Sequence, residues 1–236
     1  MYVCLFDIDG TLLNTGRAGQ AAMEAAMIEQ FGKREPITGV SYAGRTDHGI
    51  IHDIFRFYGE ELTDEVRADF IAAYLRNLPR ELAERAGLIL PGVVELLAHL
   101  HARNDVTLGL LTGNLLEGAK LKLASHGLDD YFDFALGAYG DVHSDRDDVA
   151  RAAWALLVER DLTLQQLSPE RVWVIGDTPA DVRCARAIGA KCLAVATGIY
   201  SRADLETAGP DRLVEDFSDA ESLLESWMSA SRFPSE

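Results

Sequence analysis

The sequence predicts an α/β fold: a parallel sheet core interrupted near its start by an inserted all-helical cap domain. Three observations carry this reading. Short, continuous apolar runs recur at Tyr2–Phe6, Val106–Leu111, Val172–Ile175 and Cys192–Val195, as expected for strands buried on both faces. Helical patterns separate the later runs, and strands alternating with helices build βαβ units. Between the first and second runs lies a stretch with no buried strand, too long for one crossover helix.

Taken in order, the first strand is YVCLF at Tyr2–Phe6. From Gly16 to Ala86 the chain reads as helices over Ala18–Phe31, Thr46–Tyr58 and Thr63–Arg85. A helix over Val93–His101 follows the Pro91-Gly92 breaker. The strand VTLGLL comes next, then a helix over Leu115–His126 that ends at Gly127, a residue suited to the C′ position. Val149–Arg160 carries apolar residues at helical spacing. Ala180–Ile188 starts after Pro179 and stops at Gly189. The division assigns residues 1–15 and 87–236 to a Rossmann-like core and residues 16–86 to the cap. Such a cap is expected over the carboxyl edge of the sheet, where open α/β folds bind ligands. A terminal amphipathic helix over Glu221–Met228 and a frayed tail from Ser229 complete the reading.

Composition narrows the function. At 236 residues, with 48% hydrophobic and 25% charged residues, the chain can bury a full core without disulfides. Its formal net charge of −16 disfavours nucleic acid and anionic membranes as partners. An anionic substrate therefore needs local positive charge, and a divalent cation is the simplest source. Cys4, Cys184 and Cys192 form no CxxC pair and read as small buried hydrophobes in a reducing compartment. No apolar run approaches the length of a membrane span. Asp7 and Asp9 interrupt the opening apolar segment, and no basic region precedes it, so a signal peptide is not expected. The expected setting is cytoplasmic.

Acidic residues at strand ends carry the chemistry. Asp7-Ile8-Asp9-Gly10-Thr11 leaves the first strand, and two carboxylates spaced by one residue are costly to bury without a cation. VWVIGD puts Asp177 at the end of another buried strand, and Thr178-Pro179-Ala180-Asp181 opens the next helix. Taken singly, Asp177 reads as an N-cap and Asp181 as a first-turn acid. Together, four carboxyls converging on one sheet edge make a hard-cation site, and oxygen ligands point to Mg²⁺. Thr112-Gly113-Asn114, also at a strand end, supplies a hydroxyl and backbone N–H groups at a helix start, a ready phosphate cradle.

These motifs resemble those of the haloacid dehalogenase superfamily, in its phosphatase branch, over essentially the whole chain. Phe6-Asp7-Ile8-Asp9-Gly10-Thr11-Leu12 is similar to its first motif, Thr112 in LLTGN to its second, and Gly176-Asp177-Thr178-Pro179-Ala180-Asp181 to its fourth. The family's usual lysine ahead of the fourth motif is missing, since no lysine lies between Lys122 and Lys191. Arg146 in HSDRDD is the best-placed substitute, with Arg151 second. The resemblance implies that Asp7 is the nucleophile and Asp9 the general acid and base. It implies Mg²⁺ on the Asp7 side chain, the Asp9 backbone carbonyl and Asp177, with Asp181 in or next to the ligand set. Thr112, Gly113 and Asn114 are then the phosphate-binding residues. The implied activity is hydrolysis of a small phosphomonoester, phosphoglycolate-like or a sugar phosphate, through an aspartyl-phosphate. An acid at position 9 disfavours dehalogenation, which attacks carbon and needs neither that acid nor a metal. A phosphomutase and a catalytically silent binding module on the same fold remain open alternatives at this point, as does the oligomeric state.

Weaker patterns have plainer readings. Gly39–Thr46 mimics a P-loop but has Arg45 for the required lysine and no preceding buried strand. The Gly44-Arg45-Thr46-Asp47 turn opens a cap helix and resembles the substrate-facing loop of phosphoglycolate-phosphatase-like caps. That resemblance makes Arg45 and Thr46 candidate substrate contacts, beside the reading as a helix-capping turn. His48 and His52 share a helix face but lack the glutamate of an HExxH zinc site. Trp154, Leu157 and Val158 read as core packing.

Overall fold

A computed structural model of the chain describes residues 1–160, 167–220 and 223–224. The expected terminal helix over Glu221–Met228 and the tail from Ser229 lie outside the described residues, apart from Leu223 and Leu224.

The chain opens with β1 (Tyr2–Phe6) and β2 (Leu13–Asn14), then runs through α1 (Ala18–Phe31), α2 (Asp47–Tyr58) and α3 (Asp64–Glu84). It continues with β3 (Leu88–Ile89), α4 (Val93–His101), β4 (Val106–Leu111), α5 (Leu116–Ala124) and β5 (Gly137–Ala138). The last described elements are α6 (Arg146–Arg160), β6 (Val172–Gly176), α7 (Pro179–Ala187), β7 (Lys191–Val195), α8 (Arg202–Ala208) and β8 (Arg212–Val214). Six strands form one parallel sheet in the order β5-β4-β1-β6-β7-β8. This is the α/β sheet that the apolar runs predict. The edge strands β5 and β8 were not expected, because two or three residues are too few to show a pattern.

Position within this sheet follows from burial. The side chains of β1 alternate between faces: Cys4 and Phe6 join one apolar cluster, while Val3 and Leu5 join the other. Helices α4 and α5 cover the first face and α6 and α7 the second, so the central strands carry apolar residues on both sides. Register then fixes the working edge. Phe6 is level with Leu110 on one neighbour and Ile175 on the other. The residues just after these three strands therefore emerge side by side, at the point where the strand order reverses about β1.

The stretch between β2 and β3 contains α1, α2 and α3 and has its own apolar cluster, including Met23, Met27, Ile54, Phe55, Phe70, Tyr74 and Leu78. Phe55 and Phe70 meet edge-to-face, with ring centroids 5.2 Å apart. At the two ends of this stretch, β2 and β3 pair as a two-residue antiparallel ribbon, Leu13 opposite Ile89 and Asn14 opposite Leu88. Helix α2 starts where Thr46, as N-cap, accepts a hydrogen bond from the Gly49 N–H at 3.1 Å.

Phe70 is fully buried among these helices. Phe70→Ala is expected to destabilise the protein by about 3–5 kcal/mol, measured by urea unfolding. A loss under about 1 kcal/mol would show that this cluster is not close-packed.

Candidate active site

Three carboxylates meet where β1 and β6 end. The Asp7 N–H donates to the Ile175 carbonyl at 2.9 Å, which carries the strand pairing one residue past β1. Asp177 follows β6, and Asp181 stands in the first turn of α7. Asp7, Asp177 and Asp181 each bring an oxygen within 4.8 Å of the others, and all three are buried. Glycine makes this possible around Asp177: a Cβ on Gly10 or Gly198 would overlap its carboxylate. Gly10 also has φ of +85°, in the left-handed region.

One cation lies among these acids. Arg146 is the first residue of α6, which begins three residues before the expected start at Val149. Its Nη2 donates to Asp181 Oδ1 at 2.7 Å and to the Leu111 carbonyl at 3.2 Å, and its Nη1 to Asp7 Oδ2 at 3.4 Å. Burial works against the guanidinium charge, but Asp7 and Asp181 outweigh it and raise the Arg146 pKa above its usual value. Arg151, the second candidate, instead pairs with Asp148 on the surface.

The charge does not balance. Three carboxyl groups against one guanidinium leave a formal excess of two negative charges in a buried site. The imbalance falls on Asp177, whose side chain receives one hydrogen bond from another side chain, Thr11 Oγ1 at 3.0 Å. Burial, then the like charges of Asp181 and Asp7, push its carboxyl well above the ordinary range. Burial and Asp7 likewise raise Asp181, against the pull of Arg146 and two hydrogen bonds from Thr178. An all-oxygen donor set with two excess negative charges fits a hard divalent cation.

Asp9 is held apart from this group. Its Oδ2 accepts from Lys122 Nζ at 2.5 Å and from Asn114 Nδ2 at 3.0 Å, and its Oδ1 from Thr15 at 3.1 Å. Burial opposes its charge, but these partners, Lys122 foremost, hold its carboxyl below the usual range. Lys122 is itself buried, and its second bond goes to Asn114 Oδ1 at 2.6 Å. Asn114 therefore bridges Lys122, Asp9 and the Thr112 hydroxyl, which accepts from Asn114 Nδ2 at 2.8 Å.

The Thr112-Gly113-Asn114 loop also meets the helical stretch directly. A Cβ on Gly113 would overlap the Arg45 carbonyl. Asp47 N–H donates to the Gly113 carbonyl at 2.6 Å, and Asp47 Oδ2 accepts from Leu115 N–H at 2.9 Å, capping α5 from another part of the chain. Burial raises the Asp47 carboxyl to a pKa of about 6, with Lys122 and the Leu115 bond opposing the shift. Arg45 Nη2 is paired with Asp53 at 2.8 Å. The Thr46 hydroxyl is committed to capping α2 and donates to the Ser144 carbonyl at 3.2 Å. His48 and His52 stack with centroids 4.9 Å apart and join no three-residue metal cluster among the described residues.

Lys122 and Asp47 are the residues that sequence reasoning missed. Lys122 left a signal. Gly118, Ala119, Lys122 and Leu123 form the buried stripe of α5, and a lysine on such a stripe calls for a partner. Asp47 left none beyond its place in a helix's first turn.

Two outcomes are expected. Arg146→Gln leaves Asp7 and Asp181 facing each other unpaired and should destabilise the metal-free protein by about 3–5 kcal/mol in denaturant unfolding. The Asp47 carboxyl takes up its proton at a higher pH in the folded state than unfolded, so the unfolded chain binds fewer protons and stability falls as pH rises between about 4 and 6. Asp47→Asn removes this term. Relative to the parent, the variant should gain about 1–3 kcal/mol across that window in thermal unfolding. A flat difference would mean that Asp47 titrates normally.

Comparison with known proteins agrees with this geometry. The sequence model of a family described as haloacid dehalogenase-like hydrolase matches residues 1–189. A probable phosphatase IndB from Dickeya dadantii is 28% identical over 223 residues, covering 91% of this chain and 90% of the relative. A phosphoglycolate phosphatase from Synechococcus elongatus is 29% identical over 226 residues, covering 93% and 95%. Among solved structures, CbbY from Rhodobacter sphaeroides in complex with phosphate superposes with a TM-score of 0.72 at 24% identity, covering 93% of this chain and 96% of that one. A hydrolase from Pseudomonas syringae gives 0.69 at 23%, covering 96% and 99%. With the family matched over most of its length and the carboxylates of the expected motifs brought to one sheet edge, the chain belongs to the haloacid dehalogenase-like hydrolases.

Proposed function

We propose that the protein is a Mg²⁺-dependent phosphatase that hydrolyses a small phosphomonoester through a phosphorylated Asp7. The observation that carries this reading is the separation of two acid groups at one sheet edge. Asp7, Asp177 and Asp181 are left two charges short of neutrality, while Asp9 stands beside them fully hydrogen-bonded and not among their cluster. Four acids in that arrangement suit a nucleophile, a metal site and a separate proton carrier. The phosphatase names of the Dickeya and Synechococcus relatives support the same reaction class.

Asp7, Asp177 and the Asp9 backbone carbonyl would hold the metal ion, which would neutralise charge on the transferring phosphoryl group. One Asp7 oxygen attacks phosphorus in line, forming the acyl-phosphate bond as the ester P–O bond breaks. Asp9 gives its proton to the departing oxygen. The incoming phosphoryl group, a like charge, shifts Asp9 towards its protonated form and so prepares it for that role. Asp9 then takes a proton from the water that cleaves the acyl-phosphate, which releases phosphate, restores the Asp7 carboxylate and returns Asp9 to its protonated form. Arg146 fixes the orientation of Asp7 and Asp181. The Thr112 hydroxyl accepts from Asn114, which leaves its own proton free for a phosphoryl oxygen. The α1–α3 unit serves as the cap that keeps bulk water away, with Arg45 facing the substrate. No helix among the described residues is long and apolar enough to cross a membrane. The three cysteines, all buried and unpaired, suit a reducing cytoplasm.

Purified protein is expected to release phosphate from p-nitrophenyl phosphate with Mg²⁺ and to lose that activity in EDTA. Asp7→Asn should lower kcat by at least about a thousandfold, since it removes the nucleophile. Full activity in EDTA, or in the Asp7→Asn variant, would refute the mechanism.

A further inference from the structure

Two polar groups near Asp9 have hydrogen-bonding capacity to spare. Lys122 uses two of its three N–H donors among the described residues, on Asp9 and Asn114. The Tyr74 hydroxyl, on α3, is fully buried and has no hydrogen-bond partner among the described residues. An orphaned buried hydroxyl is destabilising, and so calls for a reason. Two glycines lie near it. An atom placed where Gly19 would carry a Cβ stands 3.4 Å from Lys122 Nζ and 3.8 Å from Tyr74 Oη, and one placed likewise on Gly118 stands 3.3 Å from Tyr74 Oη. With no side chain at positions 19 and 118, neither residue places a side-chain atom against the Lys122 ammonium or the Tyr74 hydroxyl.

Electrostatics selects what enters. The ammonium of Lys122 is already matched by Asp9, and the Asp47 carboxylate also acts on Lys122 and on Tyr74. A second anion brought here would face two carboxylates across one ammonium. A neutral hydroxyl meets no such penalty, because it can accept from Lys122 and exchange a hydrogen bond with Tyr74 in either direction. Resting on the phosphatase reading, in which Asp9 protonates the leaving oxygen, the next atoms of the leaving alcohol pass Lys122. We infer that Lys122 and Tyr74 form a specificity subsite for an uncharged hydroxyl on the carbon next to the ester carbon. The substrates so favoured are polyol- or sugar-type phosphates, and a carboxylate at the same position is rejected.

Three esters with the same two-carbon skeleton test this: 2-hydroxyethyl phosphate, ethyl phosphate and 2-phosphoglycolate, which differ only in a terminal hydroxymethyl, methyl or carboxylate. In kcat/KM the hydroxyl ester should exceed each of the others by about tenfold or more, the effect of one hydrogen bond to a charged group. Tyr74→Phe should lower the hydroxyethyl-to-ethyl ratio at least threefold while the melting temperature holds or rises, because the hydroxyl lost has no partner. A ratio near one in the parent, a preference for phosphoglycolate, or a ratio unchanged in Tyr74→Phe would overturn the subsite. Lys122→Met separates selection from simple positioning of Asp9: collapse of the ratio supports selection, and an equal fall for all three esters overturns it. Calorimetric titration of the Asp7→Asn protein with the same esters and Mg²⁺ needs no turnover. Tighter binding of the hydroxyl ester, lost on adding Tyr74→Phe, supports the subsite even if p-nitrophenyl phosphate is not hydrolysed, a result that would count against the phosphatase reading alone. Equal affinities would overturn the subsite whatever the turnover.

Discussion

Like charges kept close together in a dry place constrain this molecule more than any other interaction. Asp7, Asp177 and Asp181 reach one point from two strand ends and a helix start, and burial leaves none of them well solvated. Much of the surrounding structure accommodates that proximity. Arg146 reaches in from α6 to touch two of the acids, the Thr178 hydroxyl and N–H satisfy one oxygen of Asp181, and Gly10 and Gly198 stand back from Asp177. The apolar layers on either face of β1 supply the rigidity, because a loosely packed sheet would let the carboxylates drift apart.

A second charge pair has the opposite character. Asp9 and Lys122 neutralise each other, and Asn114 ties them to Thr112. The two acids of the DxD motif are two residues apart, yet one sits in a site short of positive charge and the other in a site that is satisfied. Two carboxylates so close in sequence thus lie in different electrostatic surroundings.

Most of the fold was legible in the sequence because its central strands are buried on both faces. YVCLF and VWVI stand out as continuous apolar runs, and the glycines and prolines at 91–92, 127, 179 and 189 mark helix ends. The edge strands β5 and β8 were not legible, since pairs such as Gly137-Ala138 take up strand geometry only because β4 lies beside them. In the site, the acids could be read from their place after apolar runs. Arg146 could be found only through the absence of a lysine. Lys122 escaped because its task depends on which face of α5 turns inward, and Asp47 because it acts across a gap in sequence of more than sixty residues.

The contact of Asp47 with Gly113 and Leu115 joins two parts of the chain at a sensitive place. The helix whose first turn Asp47 completes is the one that presents Lys122 to Asp9. Lifting α2 away from the sheet would strip α5 of a hydrogen bond at its start and, in the same movement, carry Tyr74 and Gly19 off with the rest of their bundle. The seating of the helical bundle and the placement of Lys122 beside Asp9 thus depend on the same helix start.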